Sequence, residues 1–327
     1  MAASAAAGFR LEPGELKALG KGLKRPECVL CTQAGHIFVS HREGGVSHLA
    51  PGGAQSEILG NREPAVLTNG FAIAGDGAFL LANLAPPGGV WRLTHEGRQS
   101  PFLTEVGGTT LDQVNYVGVD VKGRTWVTIS TRQIPRHLAQ RKGAGDGFIV
   151  LVDGKGARIV ADGLGYTNEA VADGKGEWLY VNETFARRTV RYRIRDDGAL
   201  GPQEVVHVYG KAEFPDGLAL DVEGAVWTTC VVSNSVVRVA PDGKAETIVA
   251  ENDAAHMDEV ERAYQEGRLT PEHLTKHPAK TMKQISSIAF GGPDLKTAYL
   301  GNLLDDRIYS FRSPVAGQAM SHWRIAF

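Results

Sequence analysis

The amino-acid sequence predicts an all-β fold, a six-bladed β-propeller with a small helical insertion. Two observations support this prediction: a pattern of short apolar strands joined at glycine turns recurs along the chain, and it recurs at the spacing of propeller blades. The pattern starts near positions 29, 71, 117, 170, 218 and 288, so successive starts lie 42, 46, 53, 48 and 70 residues apart. Repeats of roughly 40–50 residues that hold several strands are typical of β-propellers. We therefore expect one propeller domain over residues 1–327, with the helical insertion at 251–284.

Each repeat shows the same local pattern. Apolar and polar residues alternate along a strand, and the chain then turns at glycine, as at Gly75-Asp76-Gly77 and Asp242-Gly243. Glycine readily takes the positive φ angles that tight hairpin turns require. A single blade would leave both faces of its sheet exposed, whereas a ring of six blades buries them. Four tryptophans fall at or near strand positions and are expected to pack between blades: Trp91, Trp126, Trp178 and Trp227.

Two segments interrupt the repeat. Residues 131–142 are polar and irregular, which predicts an excursion or a short helical turn within the third repeat. Residues 251–284 account for the 70-residue spacing, and residues 257–266 within them are good helix formers whose apolar side chains share one face. Gly267 predicts the end of this helix, and Pro271 predicts the start of a second one. The pattern leaves open whether the insertion is a lid over one rim, a flap or an oligomer contact.

The composition is that of an ordinary soluble globular protein. Of the 327 residues, 43% are hydrophobic and 22% are charged, and the net charge is −2. No basic patch suggests nucleic acid binding, and no apolar run approaches the 18 residues of a membrane span. The first eight residues do not resemble a signal peptide and are expected to form a frayed tail. We expect a small-molecule substrate and a monomer or homodimer.

The three cysteines favour a reducing compartment. Cys28 and Cys31 form a lone CxxC pair, Cys230 lies far away in the sequence, and no second CxxC or histidine pair completes a zinc site. The cysteines are therefore expected to be small buried residues, and the protein is expected to be cytoplasmic.

Polar residues recur just before the innermost strand of four repeats. These residues are Glu27, Asn115, Asn168 and Asp216. Because their positions in the repeat are equivalent, a closed ring brings them together at one end of the central channel. Asparagine and aspartate are also common in turns, but four of these residues in register favour a shared site. Carboxylate and amide oxygens suit one hard divalent cation, with Ca²⁺ favoured and Mg²⁺, Mn²⁺ or Zn²⁺ as alternatives.

Three motifs of the chain are specific: Arg-Pro-Glu at 25–27, Phe-Pro-Asp-Gly at 214–217 and Phe-Gly-Gly-Pro-Asp-Leu at 290–295. With these motifs the chain resembles the senescence marker protein (regucalcin)/gluconolactonase family of six-bladed propellers, and the resemblance extends from about residue 22 to 313. The resemblance implies a divalent metal held by Glu27, Asn168 and Asp216, with Asn115 as a further contact near the metal. It also implies that the protein hydrolyses a lactone.

The chain departs from the sugar-lactone members of this family at two positions. Gln113 stands where those members carry an arginine, and Gln133 lies in the loop where they carry an acidic residue. The metal set is therefore retained while the sugar-binding set is not, so a different lactone, ester or carbonyl compound is plausible. Gln113, Gln133 and Asn115 remain candidate substrate contacts, and His137 on the same loop is a candidate that could also move protons at neutral pH.

Three functions are compatible with these residues. In a metal-dependent lactone hydrolase, the cation would activate the carbonyl and a water molecule, and Asp216 would act as the general base. No Gly-x-Ser-x-Gly elbow supports a serine nucleophile. The alternatives are a metal-dependent lyase or isomerase that acts on a carbonyl substrate at the same site, and a binding propeller whose metal is structural. Product analysis separates the first two, and a closed coordination shell would indicate the third.

Overall fold

A computed structural model describes residues 4–61, 63–276 and 279–327. It confirms the six-bladed β-propeller: within these ranges the chain forms six four-stranded antiparallel sheets, each ordered from the channel outward. Blades 1 to 3 consist of Val29–Cys31, Ile37–His41, Gly45–Leu49 and Gln55–Leu59; of Thr68–Ile73, Phe79–Asn83, Val90–Leu93 and Gln99–Leu103; and of Val114–Val119, Thr125–Ile129, Gly147–Asp153 and Gly156–Leu164. Blades 4 and 5 consist of Thr167–Ala172, Trp178–Glu183, Arg188–Ile194 and Leu200–Val208; and of Pro215–Leu220, Val226–Cys230, Ser235–Val239 and Ala245–Ala250.

Blade 6 joins the two ends of the chain and closes the ring. Its strands are Ile285–Gly291, Thr297–Asn302, Ile308–Arg312 and, from the N-terminal segment, Lys17–Leu19. Lys17 pairs with Ser310 and Leu19 with Ile308 in antiparallel register. Two short strands, Glu105–Val106 and Thr109–Thr110, pair with each other between blades 2 and 3. Because the first and last segments share one sheet, backbone hydrogen bonds within blade 6 hold the ring closed.

The residues before this closing strand are also packed. The backbone N–H of Ala5 donates to Glu223 Oε1 at 3.1 Å, and the side chain of Ala6 is fully buried. The backbone N–H of Leu11 donates to the carbonyl of Ile248 at 2.8 Å. The predicted frayed tail is therefore wrong for residues 4–8, because apolar contacts and backbone hydrogen bonds attach them to blade 5. Residues 1–3 lie outside the described part of the chain.

Apolar side chains fill the spaces between neighbouring blades. Trp126 and Trp227 are buried there, and their indole N–H groups each donate at 2.9 Å to an aspartate of the same blade, Asp120 and Asp221. Trp91 is also buried. Trp178 differs from the prediction, because its ring is partly exposed and lies 4.3 Å from the guanidinium carbon of Arg191.

The insertion contains two helices, α1 (Ala254–Gln265) and α2 (Pro271–Thr275). The buried face of α1 carries Val260, Ala263 and Tyr264, as the periodicity predicts. Gly267 has a φ of 68°, which explains why glycine ends this helix. The interrupted third repeat contains the expected helical turn, a 3₁₀ helix at Arg136–Ala139. Among the described helices, none is long and apolar enough to cross a membrane.

Candidate active site

A cavity of about 200 Å³ opens at the end of the channel where the innermost strands begin. Every blade contributes a polar residue to its wall. Six of these residues are Glu27, Asn69, Asn115, Asn168, Asp216 and, just before blade 6, Gln284. The first five are buried side chains, so the cavity has a polar floor.

An irregularity in the innermost strands positions these residues. The register between the first and second strands shifts between Thr68 and Phe71 in blade 2, and the strands of blades 3 to 6 shift at the equivalent place. Such bulges re-aim side chains and are common next to active sites. In blade 5, Gly217 follows Asp216 because a Cβ atom at this position would collide with the backbone of blade 6 at Ser286.

A second regularity lies two residues further upstream. Arg25, Gln113, Tyr166 and Gln284 all have φ between 55° and 70°, which is uncommon for residues other than glycine. Each of them lies two positions upstream of the place in its repeat at which the site residues occur. Strained backbone of this kind clusters at functional sites. Three of these side chains (Arg25, Tyr166 and Gln284) line the cavity.

Asn168 and Asp216 form one half of the polar floor. The Asn168 amide nitrogen donates to Thr184 Oγ1 at 3.0 Å and to Asp216 Oδ1. Thr184 in turn donates to the carbonyl of Pro215 at 2.8 Å. These bonds use both N–H groups of the Asn168 amide, and its Oδ1 is buried without a hydrogen-bond partner among the described residues.

Glu27, Asn69 and Asn115 form the other half. Asn69 donates to Glu27 Oε1 at 3.1 Å and to the backbone carbonyl of Asn115 at 2.9 Å. The Asn115 amide nitrogen donates to Ser130 Oγ at 3.0 Å. As in Asn168, the amide nitrogen of Asn115 is hydrogen-bonded while its oxygen is not. Glu27 Oε2 and Asn115 Oδ1 are both buried and lack partners in the described chain.

The two carboxyl groups are costly to ionise in this setting. The pKa of Asp216 is raised to about 8, chiefly by burial and next by the charge of Glu27, although the hydrogen bond from Asn168 acts in the opposite direction. Burial likewise raises the pKa of Glu27, while the positive charges of Arg25 and Arg136 oppose this. A bound cation between the two groups would favour their charged forms.

The donor set fits a hard divalent cation. Three oxygen atoms without partners, on Glu27, Asn115 and Asn168, face the same cavity together with Asp216. Oxygen-only ligands suit Ca²⁺, Mg²⁺ or Mn²⁺. The described residues contain no group of three or more His, Cys, Asp or Glu side chains that could hold a metal. A cation at this site would therefore depend on amide oxygens as well as on the two carboxylates.

Two arginines complete the charged lining of the cavity. Arg25 donates from Nη2 to Asn69 Oδ1 at 2.9 Å. Arg136 belongs to the 3₁₀ helix of the third repeat, and its Nε donates to the Tyr166 hydroxyl at 2.7 Å. Burial lowers the pKa of Arg25. In the sequence, Arg25 stands out only as part of a motif, and Arg136 stands beside His137 on a loop that could reach the channel mouth.

The predicted substrate contacts divide into two groups. Asn115 lines the cavity, whereas Gln113, Gln133 and His137 are not part of its wall. Gln113 instead accepts a hydrogen bond from the backbone N–H of Arg136 at 3.2 Å, so it supports the loop. His137 is exposed because its 3₁₀ helix turns Arg136, not His137, toward the channel. The structure therefore does not place His137 at the cavity as predicted, and its neighbour Arg136 lines the wall instead.

The position in the repeat that predicted four site residues also predicts a fifth, Asn69. Asn69 lies two residues before the start of its repeat at 71, as Glu27, Asn115, Asn168 and Asp216 do in theirs. Applying the rule to all six repeats would have identified it. Cys28 does not line this cavity but a separate one of about 40 Å³ further along the channel, where burial raises the pKa of its thiol well above the usual value.

The insertion forms part of the cavity wall. Leu274 and Thr275 of α2 line it, and Gln284 at the end of the insertion donates to the carbonyl of Leu274. Phe185, Phe214 and Val231 line the cavity and also pack in one apolar cluster with α1. The insertion therefore contributes to the cavity wall at one rim of the ring.

Comparison with known proteins gives a consistent result. The family model described as the SMP-30/gluconolactonase/LRE-like region matches residues 26–257. A 6-deoxy-6-sulfogluconolactonase from Pseudomonas putida is 24% identical over 241 residues, which cover 72% of this chain and 69% of that protein. The match to the family model ends within α1, so α2 and blade 6 lie outside it.

Two solved structures share the fold. A gluconolactonase from Xanthomonas campestris has a TM-score of 0.69 and 16% identity, covering 95% of this chain and 93% of its own. A regucalcin from Agrobacterium tumefaciens, described as a calcium-binding protein, has a TM-score of 0.66 and 15% identity, covering 97% of this chain and 100% of its own. At these identities, the similarity carries the fold alone.

Proposed function

Because the chain belongs to the SMP-30/gluconolactonase/LRE-like family, we propose that it hydrolyses a lactone with the help of one divalent cation held by Glu27, Asn168 and Asp216. One observation carries this proposal: buried oxygen atoms without partners, on Glu27 and Asn168, face the same 200 Å³ cavity as Asp216. Ca²⁺ is the first cation to test, since all three ligands are hard oxygen donors and a protein of the same fold is described as calcium-binding.

The residues of the chain support the steps of hydrolysis. When bound, the cation supplies Lewis acidity toward a carbonyl oxygen and a water molecule. Asp216 accepts a proton from the attacking water through the carboxylate oxygen that Asn168 does not occupy. The water oxygen forms a bond to the carbonyl carbon, the ring C–O bond breaks, and the proton held by Asp216 passes to the leaving ring oxygen. The product is a hydroxy acid.

The walls of the cavity suit a small substrate. Its volume of about 200 Å³ is below the range of pockets that hold drug-sized ligands. Phe185, Phe214, Val231 and Leu274 supply apolar surface, and Asn115 supplies an amide oxygen for a hydroxyl group of the substrate. We also propose that the protein acts in the cytoplasm, as a monomer or homodimer. Its three cysteines are free and buried.

The test is a hydrolysis assay with a pH indicator on protein stripped of metal. Ca²⁺, Mg²⁺, Mn²⁺ and Zn²⁺ are restored singly, and aliphatic, aromatic and sugar lactones are supplied. We expect acid release that needs a cation and that falls by at least about 100-fold in Asp216→Asn. Asp162→Asn is the matched control, because Asp162 is exposed and pairs with Arg132 outside the cavity.

A negative assay has a defined meaning. If the protein binds a cation but releases no acid from any lactone, the hydrolase proposal is wrong. The same cavity would then be tested for lyase or isomerase activity on carbonyl compounds, by identifying products that form without addition of water.

A further inference from the structure

We propose that Arg25 and Arg136 form a subsite for an anionic group of the substrate, so that the preferred lactone carries a second functional group such as a carboxylate, phosphate or sulfonate. The assignment of a lactone rests on the function proposed above, whereas the subsite itself rests on the two guanidinium groups. Both side chains line the cavity that contains Glu27, Asn168 and Asp216.

Each guanidinium is anchored through one nitrogen and leaves another without a partner. Arg25 is held by the hydrogen bond from Nη2 to Asn69, and its Nη1 is buried and unpartnered. Arg136 is held by the bond from Nε to Tyr166, whose ring centroid lies 5.5 Å from the guanidinium carbon, and its Nη1 is also buried and unpartnered. The anchored nitrogens fix the orientation of both groups.

Arg25 and Arg136 are half-buried side chains with buried Nη1 atoms, and no ion pair among the described residues supplies a partner for those atoms. Among the described residues, neither has a carboxylate oxygen within 4.0 Å, although Glu27 and Asp216 line the same cavity. A buried charged donor without a partner costs more free energy than a neutral one. Paired guanidinium N–H groups are the preferred partners of planar or tetrahedral oxyanions. An oxyanion that reached both Nη1 atoms would supply the acceptors that these atoms lack.

The balance of charge also favours an anion. The charged residues in the cavity wall are two arginines and two carboxylates, whose formal charges cancel. A bound divalent cation would raise the sum to +2. A neutral lactone would leave this charge uncompensated in a buried site, whereas a lactone with an anionic group would reduce it. With the cation bound, the positive charge of the two arginines is therefore available to an anionic group of the substrate.

The test compares lactones that differ only in charge. Glucono-1,5-lactone is compared with its 6-phospho and 6-sulfo counterparts and with glucaro-1,4-lactone, using protein loaded with the active cation. We expect kcat/KM to be at least tenfold higher for one or more of the anionic lactones. Arg25→Gln and Arg136→Gln should each lower this advantage at least tenfold, with the larger part of the loss in KM for the anionic lactone. The anionic lactone with the highest kcat/KM shows whether the subsite prefers a carboxylate, a phosphate or a sulfonate.

The controls separate recognition from folding and from catalysis. Arg132→Gln is matched to Arg136→Gln, because Arg132 lies in the same loop and pairs with Asp162 outside the cavity. Arg25→Lys keeps the charge but offers fewer fixed donors, so it should recover part of the lost affinity. The proposal is overturned if wild-type protein treats neutral and anionic lactones alike. It is also overturned if both arginine variants lower kcat equally for all lactones, which would place the arginines at the reacting carbonyl.

A binding measurement distinguishes failure of the subsite from failure of the proposed hydrolysis. Calorimetry with 6-phosphogluconate, 6-sulfogluconate, glucarate and gluconate needs no turnover. Binding of at least one doubly functionalised anion at least tenfold more tightly than gluconate, lost in Arg25→Gln and Arg136→Gln, would support the subsite even if no lactone is hydrolysed. Equal binding of all four, or binding that both variants retain, would overturn it.

Discussion

The amide group of Asn168 is held in one orientation, and this decides which of its atoms faces the cavity. Its nitrogen donates to Thr184 and Asp216, so its oxygen is the atom left for a ligand. Thr184 is itself fixed by its bond to the carbonyl of Pro215. Residues that orient ligands in this way commonly change metal affinity by 10–100-fold when they are mutated.

We predict that Thr184→Val weakens cation binding about tenfold or more. Valine matches threonine in shape but cannot accept the hydrogen bond from Asn168, so the amide loses one of its two anchors. The measurement is calorimetric titration of metal-free protein with the cation that supports activity.

The control for this prediction is Thr32→Val. Thr32 is also buried, and its hydroxyl accepts a hydrogen bond from the backbone N–H of His36 at 3.2 Å, away from the cavity. Both variants should lose some stability, but only Thr184→Val should lose cation affinity. Equal cation affinities for the two variants would show that Thr184 does not orient Asn168.

The sequence predicts the residues of this site to the extent that they follow the repeat. Glu27, Asn115, Asn168 and Asp216 share one register, and Asn69 follows the same rule although no carboxylate drew attention to it. Arg25 and Arg136 could not be found in this way. The direction of Arg25 depends on a backbone φ of 55°, and Arg136 depends on the path of an irregular loop, neither of which leaves a period in the sequence.

At the scale of elements, α1 is attached to the propeller mainly through Glu261 and Tyr264. Glu261 accepts from Arg187 at 2.6 Å and from the backbone N–H of Ala212 at 2.8 Å. The Tyr264 hydroxyl donates to the carbonyl of Phe185 at 2.7 Å. The helical pattern predicted the buried face of α1, but not these partners, which lie about 50–80 residues away in the sequence.

We predict that Glu261→Ala lowers the free energy of unfolding by about 1–3 kcal/mol, because Arg187 and the N–H of Ala212 lose their acceptor. The insertion should also become more sensitive to protease within residues 251–284. Thermal unfolding and limited proteolysis measure the two effects. Glu259→Ala on the exposed face of α1 is the control, since the nearest basic nitrogens of Glu259 are 4.0 Å away. Equal behaviour of the two variants would mean that Glu261 does not anchor the helix.

The C-terminal segment closes the other end of the channel. The side chain of Gln318 donates to the carbonyl of Asp221 at 2.9 Å, Ser321 donates to the carbonyl of Val119 at 2.7 Å, and the carbonyl of Trp323 accepts from Gln33 at 2.7 Å. The segment therefore contacts blades 1, 3 and 5. His322, within it, is buried and lines the smaller cavity of about 40 Å³.

We predict that His322 makes the protein less stable in acid. Burial lowers the pKa of His322 to about 4 from its ordinary value of 6.5, although a hydrogen bond to the backbone of Cys31 opposes this. Between these two pH values the unfolded chain binds a proton that the folded chain does not. The contribution of His322 is thus fully present above pH 6.5 and is lost as the pH falls toward 4, by up to about 3 kcal/mol.

Thermal unfolding of wild type and His322→Gln between pH 4 and pH 7.5 measures this contribution. The variant should show a flatter dependence on pH over this interval, whatever its stability at neutral pH. His137→Gln, at an exposed position, should follow wild type. Parallel curves for wild type and His322→Gln would show that His322 is not buried in its neutral form.

At the scale of the whole molecule, the proposed cation would connect parts of the ring that share no sheet. Glu27 precedes blade 1, Asn168 lies in blade 4 and Asp216 lies in blade 5. Within a single sheet, the closing strand Lys17–Leu19 of blade 6 joins the two ends of the chain. The repeat predicted six blades but not this closure, because Lys17–Leu19 is a three-residue strand without an alternating pattern of its own.

We therefore predict that a chelator lowers the melting temperature of the protein by several degrees. Removal of the cation leaves buried oxygen atoms of Glu27 and Asn168 without a partner among the described residues. A ligand at 100 times its dissociation constant stabilises the folded state by about 2.7 kcal/mol. Thermal unfolding with and without the cation measures the difference, and readdition should restore the higher melting temperature. Glu27→Gln and Asp216→Asn should both melt at the same temperature with and without the cation, because each has lost a charged ligand. A wild-type melting temperature that no divalent cation changes would contradict the cation site, and with it the link between blades 1, 4 and 5 on which the proposed chemistry depends.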